Sequence, residues 1–342
     1  MSGGVDSSVA AALLLDDAIQ CAGITLKLFD ADDSGTVTDA ARAAQGLGIP
    51  HSVLDLREAF DREVIRRFVE NYEQGLTPNP CVMCNRYIKF GLLMDHAPGL
   101  GCDMIATGHY ARIEKSGSRF LLRKAADHRK DQSYVLFSLT QEKLAHVCFP
   151  LGALAKSEVR EIAGKHGLFN GNKRESQDIC FVENGDYGSF MEQYTGRKYP
   201  GGDILDLSGK VIGRHKGLVR YTLGQRRGLG VAANTPVYVS AKDTARNTIV
   251  LGDEASLYSK SLTAGSINLI ACDSLERPLK VMVKTRYLQE EKPALAVQTG
   301  EDEIRIDFDE AQRAITPGQA AVLYDGDIVI GGGIIGTGKP GV

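Results

Sequence analysis

The sequence predicts an α/β domain with a parallel sheet, followed by a small β-rich central domain and a C-terminal β-barrel. The first half alternates helix-like and strand-like segments, an order typical of a parallel sheet flanked by helices. From about residue 199 onward, glycine and turn residues separate short β-like segments. The chain of 342 residues is also too long for one compact core. We therefore predict three domains at residues 1–197, 198–262 and 263–342.

Hydrophobic periodicity indicates the elements of the first half in order. Helix-like and strand-like runs alternate at residues 9–15, 21–28, 38–47 and 51–56. Apolar residues then recur at helical spacing from residue 60 to residue 72, and a short apolar run at 104–107 stops at Gly108. Ligands of parallel sheets bind at the carboxyl ends of the strands, so a binding site is expected beside Gly108.

The second half contains brief strands, several of which alternate apolar and polar residues. They lie at residues 294–299, 303–308, 320–324 and 328–335. Tyr324-Asp325-Gly326-Asp327 is a hairpin turn signal between the last two. These short strands and turns predict the barrel.

The composition is that of an ordinary soluble protein, with 43% hydrophobic and 24% charged residues. No apolar run approaches the ~18–20 residues of a membrane span, and no signal peptide opens the chain, so no membrane partner is expected. The net charge of −3 provides no global basic field, so any RNA site must be a local patch. Seven cysteines without an export signal favour reduced thiols and a cytoplasmic location. Cys21, Cys102 and Cys148 lie in apolar stretches and are expected to be simple buried side chains.

Ser2-Gly3-Gly4-Val5-Asp6-Ser7-Ser8 leads directly into the first helical run and is suited to bind phosphate. Its glycines permit a close approach of the backbone, and the N–H groups of a helix start attract anions. The Gly-Lys-Ser/Thr ending of a P-loop is absent. The segment resembles the loop of the ATP-pyrophosphatase (PP-loop) families, which implies ATP, Mg²⁺ and a role for Asp6 at the pyrophosphate. A plain helix cap is the alternative. The families place a strand before this loop, and that first strand is expected to be missing here.

A second motif contains two cysteines, and a third cysteine lies far downstream. Thr77-Pro78-Asn79-Pro80-Cys81-Val82-Met83-Cys84-Asn85 is stiffened by two prolines and precedes a helix-like run at 85–97. This order places Cys84 near a helix N-terminus, which predicts a lowered thiol pKa. Ser176-Gln177-Asp178-Ile179-Cys180-Phe181 presents the distant cysteine among polar residues.

With these motifs the chain resembles the bacterial tRNA-specific 2-thiouridylases over nearly its whole length. The matching segments also include Gly108-His109-Tyr110-Ala111-Arg112, Lys130-Asp131-Gln132-Ser133-Tyr134, Gly224-Gln225-Arg226-Arg227-Gly228-Leu229-Gly230, Thr285-Arg286-Tyr287 and Pro317-Gly318-Gln319-Ala320. The resemblance implies an adenine-nucleotide α-hydrolase-like catalytic domain. It also implies adenylylation of O2 of the wobble uridine by ATP, followed by sulfur transfer to C2.

The resemblance assigns roles to particular residues. Cys180 would carry sulfur as a persulfide received from a cysteine desulfurase or a sulfur carrier, and Cys84 would be the nucleophile, leaving a Cys84–Cys180 disulfide. The ATP site would comprise Ser2, Gly3, Gly4, Val5, Asp6, Ser7, Ser8, Leu26 and Gly108. Asn79, Pro80 and Cys81 would face the target base. The tRNA contacts would be His109, Lys130, Asp131, Gln132, Arg286, Tyr287 and Gln319.

Cys81 departs from the family pattern, because many relatives have aspartate at this position. A thiol cannot replace a carboxylate in acid–base work without a shifted pKa. Cys81, Cys84 and Cys180 could instead hold a [4Fe–4S] cluster, since thiolates are the usual ligands. A zinc site, a spare thiol or a small residue filling the space of the aspartate are the alternatives.

Other interpretations stay open at the level of the sequence. His109 could be a packed turn residue, the basic residues around Lys130 a solvated face, and Arg286, Tyr287 and Gln319 ordinary barrel surface. A different ATP-pyrophosphatase, such as an amide-forming synthetase, needs neither the cysteines nor the barrel. A non-catalytic RNA-binding module would bind tRNA without hydrolysing ATP, and the intact phosphate loop disfavours it.

Overall fold

The computed structural model describes residues 1–29, 35–169, 179–182 and 185–337. Of the distant cysteine motif, Ser176, Gln177 and Asp178 lie outside the described residues, whereas Cys180 is described. In the described part of the chain, no helix is long and apolar enough to cross a membrane.

The N-terminal region alternates helices and strands as predicted. Its first elements are α1 (Val5–Asp16), β1 (Gly23–Lys27), α2 (Thr36–Gly46), β2 (His51–Asp55), α3 (Arg57–Phe60) and α4 (Arg66–Glu73), with a π-helical turn at Asp61–Ile65 between the last two. There follow α5 (Pro80–Met83), a π-helix (Cys84–Leu92), α6 (Leu93–His96), a 3₁₀ turn (Ala97–Leu100), β3 (Ile105–Ala106), the strands β4 (Ala111–Ser116) and β5 (Arg119–Lys124), α7 (Ser133–Leu136), α8 (Gln141–Leu144), β6 (Val147–Cys148), α9 (Lys156–Lys165) and α10 (Tyr187–Thr195).

The parallel pairing expected from this alternation is present in two places. β1 pairs with β2 in parallel, and β3 pairs with β6 in parallel. Met1 lies against β1, where the Thr25 hydroxyl donates to the Met1 carbonyl at 2.9 Å. Gly108, which follows β3, lies against the start of α1, and ligands bind at the carboxyl ends of parallel strands, so the nucleotide site is expected there.

The central region is a four-stranded sheet and the C-terminal region is a closed barrel. The sheet contains β7 (Gly202–Leu205), β8 (Val211–His215), β9 (Tyr238–Asp243) and β10 (Thr248–Gly252), with 3₁₀ turns at Leu218–Arg220 and Ala255–Leu257. The barrel contains β11 (Tyr258–Leu269), β12 (Leu279–Lys284), β13 (Lys292–Gly300), β14 (Glu303–Arg313), β15 (Ala320–Asp325) and β16 (Ile328–Ile335). Pairing of β11 with β16 closes the barrel, and Gly326 has the positive φ of 57° expected at the predicted hairpin turn.

The first domain and the barrel share a sheet and a core, a connection that the sequence did not indicate. The hairpin β4–β5 extends the barrel sheet, because β5 pairs with β16 at Arg123 and Ile328. One hydrophobic cluster contains Tyr134 and Phe137 from the first domain and Val322 and Tyr324 from the barrel. Burial of these large side chains from both regions fixes the barrel against the α/β domain.

The structure gives bounds that can be set beside the predicted domains. α10 ends at Thr195 and β7 begins at Gly202, so the predicted boundary after residue 197 lies between them. β11 runs from Tyr258 to Leu269 and therefore spans the predicted boundary after residue 262.

Candidate active site

The phosphate loop forms a tight turn at the start of α1. Gly3 has a positive φ of 66°, which favours glycine. The Ser7 hydroxyl accepts a hydrogen bond from the Ser2 N–H and donates to the Gly4 carbonyl, both at 3.1 Å. The N-cap residue is Gly4, which has no side chain to cap the helix. The first turn of α1 therefore presents backbone N–H groups and serine hydroxyls, a suitable site for phosphate oxygens.

Gly108 lies directly against this loop. A Cβ at Gly108 would lie 2.7 Å from the carbonyl carbon of Asp6 and 2.8 Å from the amide nitrogen of Ser7. Only glycine permits this approach of the segment after β3 to the start of α1. Leu26 is half-buried near the carboxyl end of β1, and its contact with adenine stays a prediction.

Asp6 is held by two side chains from other parts of the domain. The Tyr110 hydroxyl donates to its carboxylate at 2.7 Å. The Lys156 ammonium donates to its two carboxylate oxygens at 2.7 and 2.9 Å. Carboxylate oxygens are also the ligands that Mg²⁺ prefers, so Asp6 fits the role of a metal ligand at the pyrophosphate.

His109 is packed in the interior beside this site. It is 8% exposed, its Nδ1 lies 2.7 Å from the Thr107 hydroxyl, and its ring contacts Phe90 and Phe149. Burial and the nearby Lys89 charge lower the pKa of His109 well below its ordinary value, so the ring is neutral. This packing agrees with the alternative interpretation of His109, and its contact with tRNA stays a prediction.

The Asn79-Pro80 pair begins the helix that carries the cysteines. The Asn79 side chain accepts a hydrogen bond from the Cys81 N–H at 3.0 Å, and Pro80 occupies the first helical position. The helical run continues without a break from α5 into the π-helix at Cys84–Leu92. Such π-helical segments are frequent at functional sites.

The predicted lowering of the Cys84 pKa is wrong. The helix begins at Pro80 rather than at residue 85, so Cys84 lies in the second turn and is too far from the N-terminal N–H groups. Burial raises the pKa of the Cys84 thiol above its ordinary value, and the neighbouring Cys81 adds to this effect. In the RNA-free protein the thiol is therefore protonated at neutral pH.

The thiols of Cys81, Cys84 and Cys180 and the ammonium of Lys89 influence one another electrostatically. Burial raises the pKa of Cys180 to about 12, and the charges of Cys84 and Cys81 act on Cys180 in the same direction. Cys84 and Cys180 are thus close in space although far apart in sequence. The Lys89 ammonium opposes the effect of burial at all three thiols by lowering their pKa values.

The three thiols are not arranged as a metal-binding site. Over the ranges that the structure describes, no three His, Cys, Asp or Glu side chains are grouped so that they could hold a metal ion. The donor chemistry suits an iron–sulfur cluster, but the predicted [4Fe–4S] centre has no support from the geometry.

Asp131 and Gln132 make hydrogen bonds within the first domain. Asp131 is 8% exposed, and its carboxylate accepts hydrogen bonds from the Ala125 N–H at 3.0 Å and from the Ser133 hydroxyl at 2.7 Å. The side-chain amide oxygen Oε1 of Gln132 accepts a hydrogen bond from the Tyr110 N–H at 2.9 Å. Lys130 is half-buried beside them. Their role in tRNA binding stays a prediction.

Arg286, Tyr287 and Gln319 connect the barrel to its neighbours. The Arg286 guanidinium donates to the carbonyls of Leu223 and Ala314 at 3.2 and 3.1 Å. The ring centroid of Tyr287 lies 6.0 Å from that of Tyr134. The side-chain amide of Gln319 donates to the Thr77 carbonyl at 2.6 Å, which attaches the barrel to the segment before Asn79. These contacts place all three near the cysteine segment or the domain junctions.

Sequence reasoning missed Lys89 and Lys156. Lys89 follows Cys84 by five residues in the same π-helix, and its charge acts on all three thiols, including the distant Cys180. Lys156 lies 150 residues from Asp6, so its ion pair has no local signal. Tyr110 belongs to one of the matching motifs, but its hydrogen bond to Asp6 joins residues that are far apart in the sequence and could not be predicted from that motif.

Three family models match the chain in succession. A tRNA methyl transferase HUP domain matches residues 1–184, a tRNA methyl transferase PRC-barrel domain matches residues 188–253, and an aminomethyltransferase β-barrel domain matches residues 259–335.

Curated relatives are similar to the chain over almost their full length. A protein of Clostridioides difficile (strain 630) named tRNA-specific 2-thiouridylase MnmA is 47% identical, over 98% of this chain and 96% of that protein. Proteins of the same name from Acetivibrio thermocellus and Treponema denticola are each 45% identical over 98% of this chain, and the matches cover 97% and 96% of those proteins.

Proposed function

The chain belongs to the family of bacterial tRNA-specific 2-thiouridylases, and from this premise we propose that it replaces O2 of a tRNA uridine with sulfur in an ATP-dependent reaction. The wobble uridine is the target that we infer. The relatives favour neither an amide-forming synthetase nor a non-catalytic RNA-binding module. The observation that supports this function best is that the charges of Cys84 and Cys81 act on Cys180, although Cys180 lies far away along the chain.

In the first step the uridine O2 attacks the α-phosphorus of ATP, and pyrophosphate leaves with the bonding electrons. The start of α1 and the hydroxyls of Ser2 and Ser7 would bind the phosphates. Gly108 and Leu26 would contact the adenine. Mg²⁺, held by Asp6, would neutralise charge on the pyrophosphate. The product is an O2-adenylylated uridine, whose C2 accepts a nucleophile.

In the second step sulfur moves from Cys180 to C2. A sulfur-donor protein would load Cys180 as a persulfide, and part of this residue is exposed at the surface even though surrounding protein atoms desolvate its thiol. The Cys84 thiolate attacks the Sγ atom of Cys180, the persulfide S–S bond breaks, and sulfide leaves with the electron pair. Sulfide adds to C2 and AMP departs with the original O2. The two cysteines are oxidised to a disulfide and the transferred sulfur is reduced, so an external thiol must restore the enzyme.

Cys81 would face the target base together with Asn79 and Pro80. The cluster hypothesis assigns Cys81 an iron, whereas the persulfide mechanism needs Cys81 only as a small neutral side chain. We favour the persulfide mechanism, because the described side chains form no group that could hold a metal ion. We also propose a cytoplasmic location, which a tRNA substrate supports.

The function is tested by mass spectrometry of tRNA after incubation with protein, ATP and a persulfide donor. We expect 2-thiouridine with the wild type and none with Cys84→Ser or Cys180→Ser, while ATP binding is retained. Cys272→Ser, which changes a half-buried thiol of the barrel, is the matched control and should be fully active. Wild-type thiolation by either of the first two variants would exclude the relay. Thiolation by Cys81→Ala, measured anaerobically together with its iron content, distinguishes the persulfide mechanism from the cluster hypothesis. Only the cluster hypothesis predicts that this variant loses both iron and activity.

A further inference from the structure

Lys156 lies inside the nucleotide site, although neither the family resemblance nor the sequence assigns it a role. It is the first residue of α9, and its side chain is only 9% exposed. Its ammonium group is 2.7 Å from one carboxylate oxygen of Asp6 and 2.9 Å from the other. Asp6 belongs to the first turn of α1, where the phosphates would bind.

Several contacts fix Lys156 at this position. Val159 and Ala163 of α9 pack in one buried cluster with Val5 and Val9 of α1. The backbone N–H of Lys156 donates to the Asp127 carboxylate at 3.3 Å. The ring centroid of Tyr110, whose hydroxyl also binds Asp6, lies 5.6 Å from the Lys156 ammonium. The lysine is therefore held by the fold rather than by a flexible loop.

The ion pair cannot stay unchanged when magnesium and ATP bind. A Mg²⁺ ion held by Asp6 would compete with Lys156 for the carboxylate, and the buried ammonium would then lose part of its charge compensation. The new anions within reach of the ammonium are the phosphate oxygens at the start of α1. A lysine is well suited to this exchange, because its ammonium is a compact charge on a flexible stem.

We propose that Lys156 binds the β- and γ-phosphates of ATP and stabilises the negative charge of the leaving pyrophosphate. Without nucleotide, Asp6 keeps the ammonium in place. With nucleotide bound, the Asp6 carboxylate would bind the metal ion and the Lys156 ammonium would bind the phosphates. This inference rests on the proposed function only in taking ATP as the nucleotide, and the lysine takes part in no covalent step.

The test compares the affinities of ATP and AMP, measured by calorimetry with Mg²⁺ and without tRNA. Lys156→Met keeps the length of the side chain and removes its charge. We expect ATP affinity to fall about 10- to 100-fold, the range of a lost charge-assisted hydrogen bond, while AMP affinity stays unchanged. In a competition assay, the affinity for pyrophosphate should fall by the same factor as the affinity for ATP. Lys165→Ala, at the exposed end of the same helix, is the matched control and should bind both nucleotides normally.

Two results would overturn the proposal. Unchanged ATP affinity in Lys156→Met would remove the phosphate contact, and an equal loss for ATP and AMP would show that Lys156 only supports the site. Lys156→Arg provides a second measurement if the Met variant does not fold, and it should keep most of the preference for ATP over AMP. Nucleotide binding without any tRNA thiolation would contradict the proposed function and leave the inference intact.

Discussion

Lys89 is a half-buried cation in the π-helix that begins at Cys84. It makes no ion pair with any residue that the structure describes, and its charge lowers the pKa values of the surrounding thiols against the effect of burial. An unpaired charge in such a place is costly unless an anion uses it. The anion would be the thiolate of Cys84 in the sulfur-transfer step.

Replacing Lys89 by methionine should slow alkylation of Cys84. Burial already raises the pKa of this thiol, so the reactive thiolate is a minor species at neutral pH. Loss of the Lys89 charge raises the pKa further, and the rate at pH 8 should fall severalfold. In both proteins the rate should keep rising with pH beyond the ordinary thiol value of 9.0. Iodoacetamide labelling followed by peptide mass spectrometry measures these rates.

Arg86→Gln serves as the control for this prediction, because Arg86 is exposed on the same helix. It should leave the labelling rate of Cys84 unchanged. Equal rates and equal pH profiles for the wild type and Lys89→Met would show that the lysine does not act on the thiol.

At the scale of residues, local motifs carry the predicted roles, whereas contacts made by folding are invisible to them. The roles proposed for Asp6, Cys84 and Cys180 come from such motifs, because each lies in a recognisable run of neighbours. The raised pKa of Cys84 could not be predicted, since it depends on where the helix begins and on how deeply the thiol is buried. Lys89 and Lys156 were missed because their partners meet them only in the folded chain.

Among the elements, the junction of β3 with α1 determines the geometry of the phosphate loop. Gly108 follows β3 and approaches backbone atoms of Asp6 and Ser7 so closely that no side chain fits between them. The neighbouring atoms belong to the backbone of a helix start, which cannot move aside without displacing the loop.

Gly108→Ala should therefore weaken ATP binding. The methyl group would lie within 3 Å of the backbone of Asp6 and Ser7 and would displace the start of α1. We expect a roughly 5- to 100-fold loss of affinity, which corresponds to about 1–3 kcal/mol of overpacking. Gly99→Ala is the control, because a Cβ at Gly99 meets nothing within 4 Å. Calorimetric titration decides, and equal affinities for Gly108→Ala and the wild type would contradict the packing argument.

Periodicity predicted only some of the elements, and it gave no bounds for β4, β5 or α7 to α10. Periodicity indicated α1, β1, α2 and β2 to within a few residues, because each has a continuous apolar pattern. The π-helix at Cys84–Leu92 was not predicted, since helical spacing in a sequence does not distinguish the two hydrogen-bond patterns. The joining of β4–β5 to the barrel depends on partners more than two hundred residues away.

At the scale of the whole molecule, Arg286 connects the barrel to the central domain. Its guanidinium binds the Leu223 carbonyl in the central domain and the Ala314 carbonyl and Thr316 hydroxyl in the barrel. A residue that fixes domain orientation affects tRNA binding differently from a residue that neutralises a phosphate, because only the second releases counterions.

Arg286→Ala should lower tRNA affinity without changing its salt dependence, because its guanidinium is already bound within the protein. Lys130→Ala, at a predicted tRNA contact, should reduce the slope of log affinity against log salt by about 0.7–0.9 if the ammonium neutralises a phosphate. Filter binding at several salt concentrations gives both slopes. A reduced slope for Arg286→Ala would mean that the arginine contacts tRNA directly.

A buried charge network also joins the first domain to the barrel. The Lys124 ammonium of β5 donates to the Glu291 carboxylate at 2.7 Å, and the Lys284 ammonium lies 3.8 Å from the same carboxylate. These side chains are at most 17% exposed. Removing the carboxylate would leave two buried cations without full compensation.

Glu291→Gln should destabilise the protein by about 3–5 kcal/mol, the usual result of breaking a buried pair. Its neighbour provides the control, because Glu290 is 90% exposed and pairs only weakly with Lys292 at 3.5 Å. Glu290→Gln should change stability by less than about 1 kcal/mol. Urea unfolding of both variants tests this, and equal midpoints would show that the network adds nothing.

The pairing of β5 with β16 sets an order for folding during synthesis. Arg123 binds Asp327, which lies 204 residues further along the chain and just before β16. At ribosomal speeds of about 5–20 residues per second, roughly 10–40 s pass between the appearance of the two partners. During that interval the outer edge of β5 is an unpaired strand edge, open to pairing with other nascent chains. The yield of the folded enzyme is then limited by how well that edge is shielded until the last strand emerges.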